Sequence, residues 1–265
     1  MDQTIFAAAL LAAATVLTAV PVSAQGTGTI VGHITITGRA TANPIIRMGA
    51  DPMCGRMNAG HRPVQEIVVA GADGSLSNAF VHLNGAFPAA AGAPQTVVLT
   101  QKNCLYNPRV IGVRAGQAVS IRNDDNLMHN VHGLSTKGQE FNTSQPTAGM
   151  VYIATLKNEE VMVHVKCDVH AWMNAYIGVV PNSFYAVTDG AGAFTIANVP
   201  AGKRTVSVWH ERYGQLTGTV DVKPGQKATL ELAYPGANQK AAADIREIVV
   251  PADASEILVH TSTSE

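Results

Sequence analysis

Little in this chain of 265 residues is charged, aromatic or thiol-bearing. Charged residues make up only 14%, the formal net charge is −1, and no run of five or six like charges or block of Lys/Arg interleaved with aromatics occurs. That absence excludes the electrostatic footprint of a nucleic-acid binder and leaves proteins, metals or neutral molecules as expected partners. No catalytic zinc motif of the carboxypeptidases, no nucleophile elbow and no paired acid and base are present, so an enzymatic role is not expected. The cysteines number only three, Cys54, Cys104 and Cys167. In an exported protein an odd number leaves at least one without an internal partner, and that thiol needs a role.

Long apolar runs are scarce as well. The one that occurs, Ile5 to Val22, is Ala-rich and is followed by Val22-Ser23-Ala24, small residues at the spacing a signal peptidase accepts. Residues 1–24 therefore read as a signal peptide with the mature chain starting near Gln25, and the body as exported and periplasmic. The leading segment carries Asp2 and no Lys or Arg, so an uncleaved membrane anchor is the rival reading; no other stretch could span a bilayer.

What is abundant is strand signal. Short β-branched or alternating runs, such as Thr29 to Ile36, Ala79 to Leu83 and Gln95 to Leu99, are separated by Gly, Pro, Asn and Asp. Asp73-Gly74 and Asp189-Gly190 sit between such runs where tight turns belong. No segment between the leader and Pro235 sustains a helical period, so the chain is predicted to be all-β, built from two sandwich-like units. By content it divides into an N-terminal β segment (25–94), a central block (95–181), a C-terminal block (182–234) and a loosely held tail (235–265).

Chemistry concentrates in Cys167-Asp168-Val169-His170-Ala171-Trp172-Met173, which places a thiolate, an imidazole and a thioether in one seven-residue loop. A soft thiolate, two imidazoles and a weak axial thioether suit both oxidation states of copper. The loop supplies one imidazole, so a second must come from a distant strand; His129, in Met128-His129-Asn130-Val131-His132, follows the strand Val119 to Asn123 and the loop Asp124-Asp125-Asn126. Taken alone, His170 and Met173 would read as a surface histidine and a core filler, and Cys167 as a half-cystine; as a set with His129 they read as a metal site. His132 and Met128 flank His129 on an extended segment and point away from its side, so His132 is expected to stand outside the ligand set. His33, His82, His164 and His210 have no second donor at ligand spacing and are expected to be structural.

On these residues the block 95–181 resembles a cupredoxin, most like amicyanin, with plastocyanin and pseudoazurin as relatives. The resemblance spans Tyr106-Asn107-Pro108, Val113 to Val119, His129 to His132, Val161 to Lys166, the Cys-x-x-His-x-x-Met loop and the exit strand Tyr176 to Val180. It implies a Greek-key sandwich with one copper per chain, held by His129, Cys167 and His170 with Met173 axial. It also implies that Asn130 ties the two ligand segments together by hydrogen bonds. Function would be electron transport between redox partner proteins, a cytochrome or another oxidoreductase, with the electron entering or leaving at an exposed edge of His170. The loop departs from amicyanin in carrying Trp172, and Ala171, Trp172 and Met173 would form an apolar docking patch.

Residues 182–234 resemble the carboxypeptidase regulatory-like domain, a small transthyretin-like sandwich grouped with carbohydrate-binding folds. The residues that carry this are Ala186 to Ile196 and Val199 to Glu211, with Gly28 to Ile34 resembling that family's opening strand. The copper block would then interrupt this sandwich, and a carbohydrate or other envelope component becomes an alternative partner. Two readings stand open for the remaining cysteines. Cys54 and Cys104 form a disulfide stapling the N-terminal segment to the copper block, which export favours. Alternatively, Cys54 joins Met48, Met53, Met57 and His61 in a second copper-handling site.

Overall fold

The computed structural model describes residues 26–87 and 93–236; the expected signal peptide and nearly all of the expected tail lie outside them. The described residues are nearly all β, as their alternation predicts. The N-terminal part contributes β1 (Thr27–Thr37), a short helix α1 (Pro52–Met57) and β2 (Phe80–Leu83). The middle begins with β3 (Val97–Lys102), β4 (Leu105–Asn107), β5 (Val110–Arg114), β6 (Ala118–Asn123) and β7 (His129–Leu134). It continues with β8 (Phe141–Gln145), β9 (Val151–Thr155), β10 (Glu160–Lys166) and β11 (Asn174–Val180). The last part holds β12 (Tyr185–Val187), β13 (Ala193–Pro200), β14 (Gly202–His210), β15 (Gly214–Val222) and β16 (Lys227–Pro235).

Two sandwiches result. In the first, the sheet β4-β3-β6-β9 shares a core with the sheet β5-β11-β10-β7-β8. The period of two decides which side chains enter it: along β6 Val119 and Ile121 are buried while Ser120 and Arg122 face outward. Leu99 joins them from β3, and Val131, Val163, Val165 and Ile177 meet them from the facing sheet. In the second, the sheets β13-β1-β16 and β12-β2-β14-β15 enclose Ile30, Ile34, Leu76, Val81, Val206, Val208 and Tyr234. The N-terminal strands thus pair with C-terminal ones: β1 lies between β13 and β16, and β2 between β12 and β14.

α1 was not anticipated, because the stretch around it reads as loop. Asp51 caps it, accepting from the backbone N–H groups of Met53 and Cys54 at 2.8 and 3.0 Å, and Pro52 occupies the first helical position. Six residues cannot hold a helix by themselves. A disulfide from Cys54 to Cys104, both fully buried, pins it to the turn between β3 and β4. Asn58 adds hydrogen bonds to the carbonyls of Cys54 and Asn103. Cys54 is therefore not a free thiol for a Met-rich metal site; Met48 is buried, while Met53 and Met57 remain exposed.

Candidate metal centre

Two strand ends and one loop bring the expected donors together. His129 opens β7, and the loop from Cys167 to Met173 joins β10 to β11. That loop is closed by its own backbone: the Met173 N–H donates to the His170 carbonyl at 2.9 Å and the Cys167 N–H to the Met173 carbonyl at 3.2 Å. One ligand atom each from His129, Cys167 and His170 falls within 4.8 Å of the others. The two Nδ1 atoms stand 3.1 Å apart, and His170 Nδ1 is 3.7 Å from Cys167 Sγ. Met173 is wholly buried at the far end of the same loop.

The other ring nitrogens are already engaged. His129 Nε2 meets Asp125 Oδ2 at 2.9 Å, and His170 Nε2 meets Asp51 Oδ2 at 3.1 Å. A carboxylate only accepts, so each Nε2 carries a proton, and in the neutral ring each Nδ1 keeps a lone pair directed inward. The two Nδ1 atoms face one another at 3.1 Å, where a proton or a metal ion held between the rings is favoured over two bare lone pairs, and beside them stands a thiol. Burial alone would raise that thiol's pKa. Hydrogen bonds from His129 and His170 in their protonated form, and from the Asn130 N–H, 3.3 Å from the sulfur, outweigh it and bring Cys167 down to about 6. The same exchange raises both imidazoles above their ordinary range against the opposing effect of burial: Asp125 and Cys167 act on His129, Cys167 and Asp51 on His170. A thiolate and two inward imidazoles fit a soft, borderline metal ion such as copper.

Asn130 joins the segments. Its Oδ1 accepts from the Asp168 N–H at 3.1 Å and its Nδ2 donates to Asn142 Oδ1 at 2.6 Å. The Tyr106 hydroxyl donates to the Asn130 carbonyl at 2.6 Å, close to the Lys166 carbonyl at 3.3 Å. His132 stands outside the cluster, its Nδ1 paired with Asp168 at 2.9 Å, and Lys166 pairs with the same carboxylate at 2.8 Å. Asp168 is held well below the ordinary carboxylate range, first by Lys166 and then by His132.

Two expectations are corrected. His170 has no exposed edge: only 1% of it is accessible, because α1 and Asp51 lie over its Nε2. Nor do Ala171, Trp172 and Met173 make an apolar patch, since Met173 is buried. Trp172 is partly buried against the core, its indole N–H donating to the Cys104 carbonyl at 2.9 Å and its ring 5.1 Å from His170. The residues that sequence reasoning missed are Asp51 and Asp125. Asp125 had a visible signal, standing four residues before His129 in a polar loop; Asp51 had only its Pro-Met-Cys successor, 119 residues from the histidine it meets.

A β-sandwich with a candidate mononuclear metal centre at one end defines the class of this molecule. Solved structures similar to part of this chain include a purple cupredoxin, amicyanin variants and a copper-containing nitrite reductase. A purple cupredoxin from Nitrosopumilus maritimus is similar at 19% identity and a TM-score of 0.27, over 31% of this chain and 98% of that one. A Cu(I) form of an amicyanin variant is similar at 20% and 0.29, over 37% and 97%. For a copper-containing nitrite reductase from Thermus scotoductus the values are 22% and 0.30, over 36% of this chain and only 24% of that one. No family model and no curated protein sequence matches the chain.

Proposed function

We propose that this chain is an exported, periplasmic copper protein that passes single electrons between redox partner proteins and makes or breaks no substrate bond. The supporting observation is the pair of Nδ1 atoms at 3.1 Å beside the Cys167 thiol, with both Nε2 atoms committed to carboxylates. Copper at that point would supply a one-electron couple that thiolate, imidazole and thioether donors tolerate in both states. His129, Cys167 and His170 would hold it, with Met173 as the weak fourth donor. Burial of all four side chains keeps water out, and the hydrogen bonds of Asn130 and the closed loop keep the donors from rearranging. With α1 over His170, a partner reaches the centre from the side of Cys167, where Asp168 and Val169 are exposed. The second sandwich, of regulatory-like type, serves as stabiliser or docking platform. Among the described residues no helix is long and apolar enough to cross a membrane.

A visible spectrum of copper-loaded, air-oxidised protein tests this. One copper per chain, a strong thiolate-to-copper band that bleaches on reduction and returns in air, and loss of that band in a folded Cys167→Ser variant are expected. A folded wild type that stays colourless with copper would overturn the reading; if it bound glycan instead, an envelope-binding role would replace it. More than one Cu(I) per chain would point to metal handling through the exposed Met53 and Met57.

A further inference from the structure

Two buried or half-buried carboxylates, one supplied by a segment outside the first sandwich, bracket the candidate centre. Asp125 is only 4% exposed, and Oδ1 accepts from the Asn103 N–H at 2.8 Å. Its Oδ2 takes the Cys104 N–H at 2.8 Å and His129 Nε2 at 2.9 Å. Asp51 is fixed in the same manner: Oδ1 takes the N–H groups of Met53 and Cys54, leaving Oδ2 for His170. Each carboxylate is thus seated by the backbone N–H of one half of the Cys54–Cys104 disulfide, and Cys54 Sγ itself lies 3.6 Å from His170 Nε2. Disulfide, carboxylates and imidazoles form one connected unit.

We propose that Asp51 and Asp125 are positioning residues that orient the two imidazoles through Nε2 and bias the bound copper toward Cu(II), with Asp51 held to this task by the disulfide. The inference rests on the copper reading above. A fixed negative charge one imidazole away from the ion stabilises the divalent state more than the monovalent one, and in a largely buried site water screens that difference weakly. The Asp51 side chain is 29% accessible and that of Asp125 only 3%, so Asp125 exerts the larger effect. Asp125 also carries the β3–β4 turn, so Asp51 is the cleaner residue to change.

The test is a redox titration of copper-loaded full-length protein, monitored by the visible band, with thermal unfolding as a check on the fold. Asp51→Asn preserves the shape and one acceptor, enough for the N–H groups of Met53 and Cys54, while removing the charge and the acceptor that faces His170 Nε2. It is expected to shift the Cu(II)/Cu(I) equilibrium toward Cu(I) about tenfold, which is about 59 mV for a one-electron couple. Asp51→Glu restores most of the shift. The Cys54→Ser/Cys104→Ser double variant, which frees α1 while keeping Asp51, moves the potential in the same direction, and adding Asp51→Asn to it moves the potential little further. A blue, folded Asp51→Asn protein whose Cu(II)/Cu(I) equilibrium stays within twofold of wild type overturns the proposal and leaves the copper reading standing. Should Asp51→Asn fail to fold, an unchanged potential in the cysteine double variant overturns it equally. A wild type without the thiolate-to-copper band overturns both.

Discussion

A histidine buried without a counter-charge makes a protein sensitive to acid, and His210 is such a residue. It is 1% exposed, its Nδ1 accepts from the Arg212 N–H at 3.1 Å, and its Nε2 has no hydrogen-bond partner among the described residues. Burial, then the charges of Arg109 and Arg212, push its pKa from 6.5 to about 3. A base whose folded pKa is depressed is neutral in both states above pH 6.5; as pH falls below that value the unfolded chain gains a proton the folded one refuses. Stability attributable to this residue is therefore complete above 6.5 and declines toward pH 3, by up to ~1.4 kcal/mol per pH unit. Denaturant unfolding at pH 7 and pH 4.5 should show the wild type losing about 2 kcal/mol more than His210→Gln; equal losses would contradict this. His210 also shows what single residues disclose in sequence. Its strand context predicts a structural role but no burial, because burial depends on Tyr213 and Tyr234 stacking around it. Cys167, His170 and Met173 were legible because their spacing in one loop is itself a donor pattern. Asp51 was not, because an aspartate before a proline looks the same whether it caps a helix or also holds a distant histidine.

At the scale of elements, strands declare themselves and contacts between them do not. Alternation along β6 and β10 is set by the side chains, so it can be read directly. That β1 pairs with β13 and β16 depends on closing a chain of 160 residues or more, which alternation does not record; only the likeness of Gly28 to Ile34 to an opening strand hinted at it. α1 was hidden because its stability comes from a disulfide rather than from helical periodicity. Glycines give a further case. Gly112 and Gly178 face each other on β5 and β11, and the Phe80 ring from β2 lies over both. A Cβ at position 178 would stand 2.5 Å from that ring, and one at position 112 would stand 2.6 Å from it and 2.4 Å from Tyr185. The pair is a slot for an aromatic side chain from the other sandwich. Gly178→Ala should cost about 1–3 kcal/mol by denaturant unfolding, and less in a Phe80→Leu background, where the ring no longer fills the slot. A fully stable Gly178→Ala protein would show that the slot has room to spare.

The same junction determines whether the molecule behaves as one body or two. Phe80, Val110 and Val180 form a small core between the sandwiches, flanked by Tyr176, Tyr185 and Trp209. Beside it Arg109, just before β5, makes two hydrogen bonds to Glu211, just after β14, at 2.6 and 2.9 Å, with side-chain exposures of 11% and 4%. A forked guanidinium–carboxylate pair at that depth is geometrically demanding, and removing one partner strands the other charge away from water. The pair is therefore weak evidence for added stability but strong evidence for a fixed arrangement. Wild type is expected to unfold in a single calorimetric transition that involves both sandwiches. Glu211→Gln leaves Arg109 without its counter-charge at a cost of about 3 kcal/mol, and should lower the transition and separate it into two. Replacing both residues by apolar ones of similar size, Arg109→Met with Glu211→Leu, should recover most of the loss, because the cost lies in the unpaired charge rather than in the missing bond. If Glu211→Gln unfolds as wild type does, the two sandwiches are coupled through the aromatic junction alone.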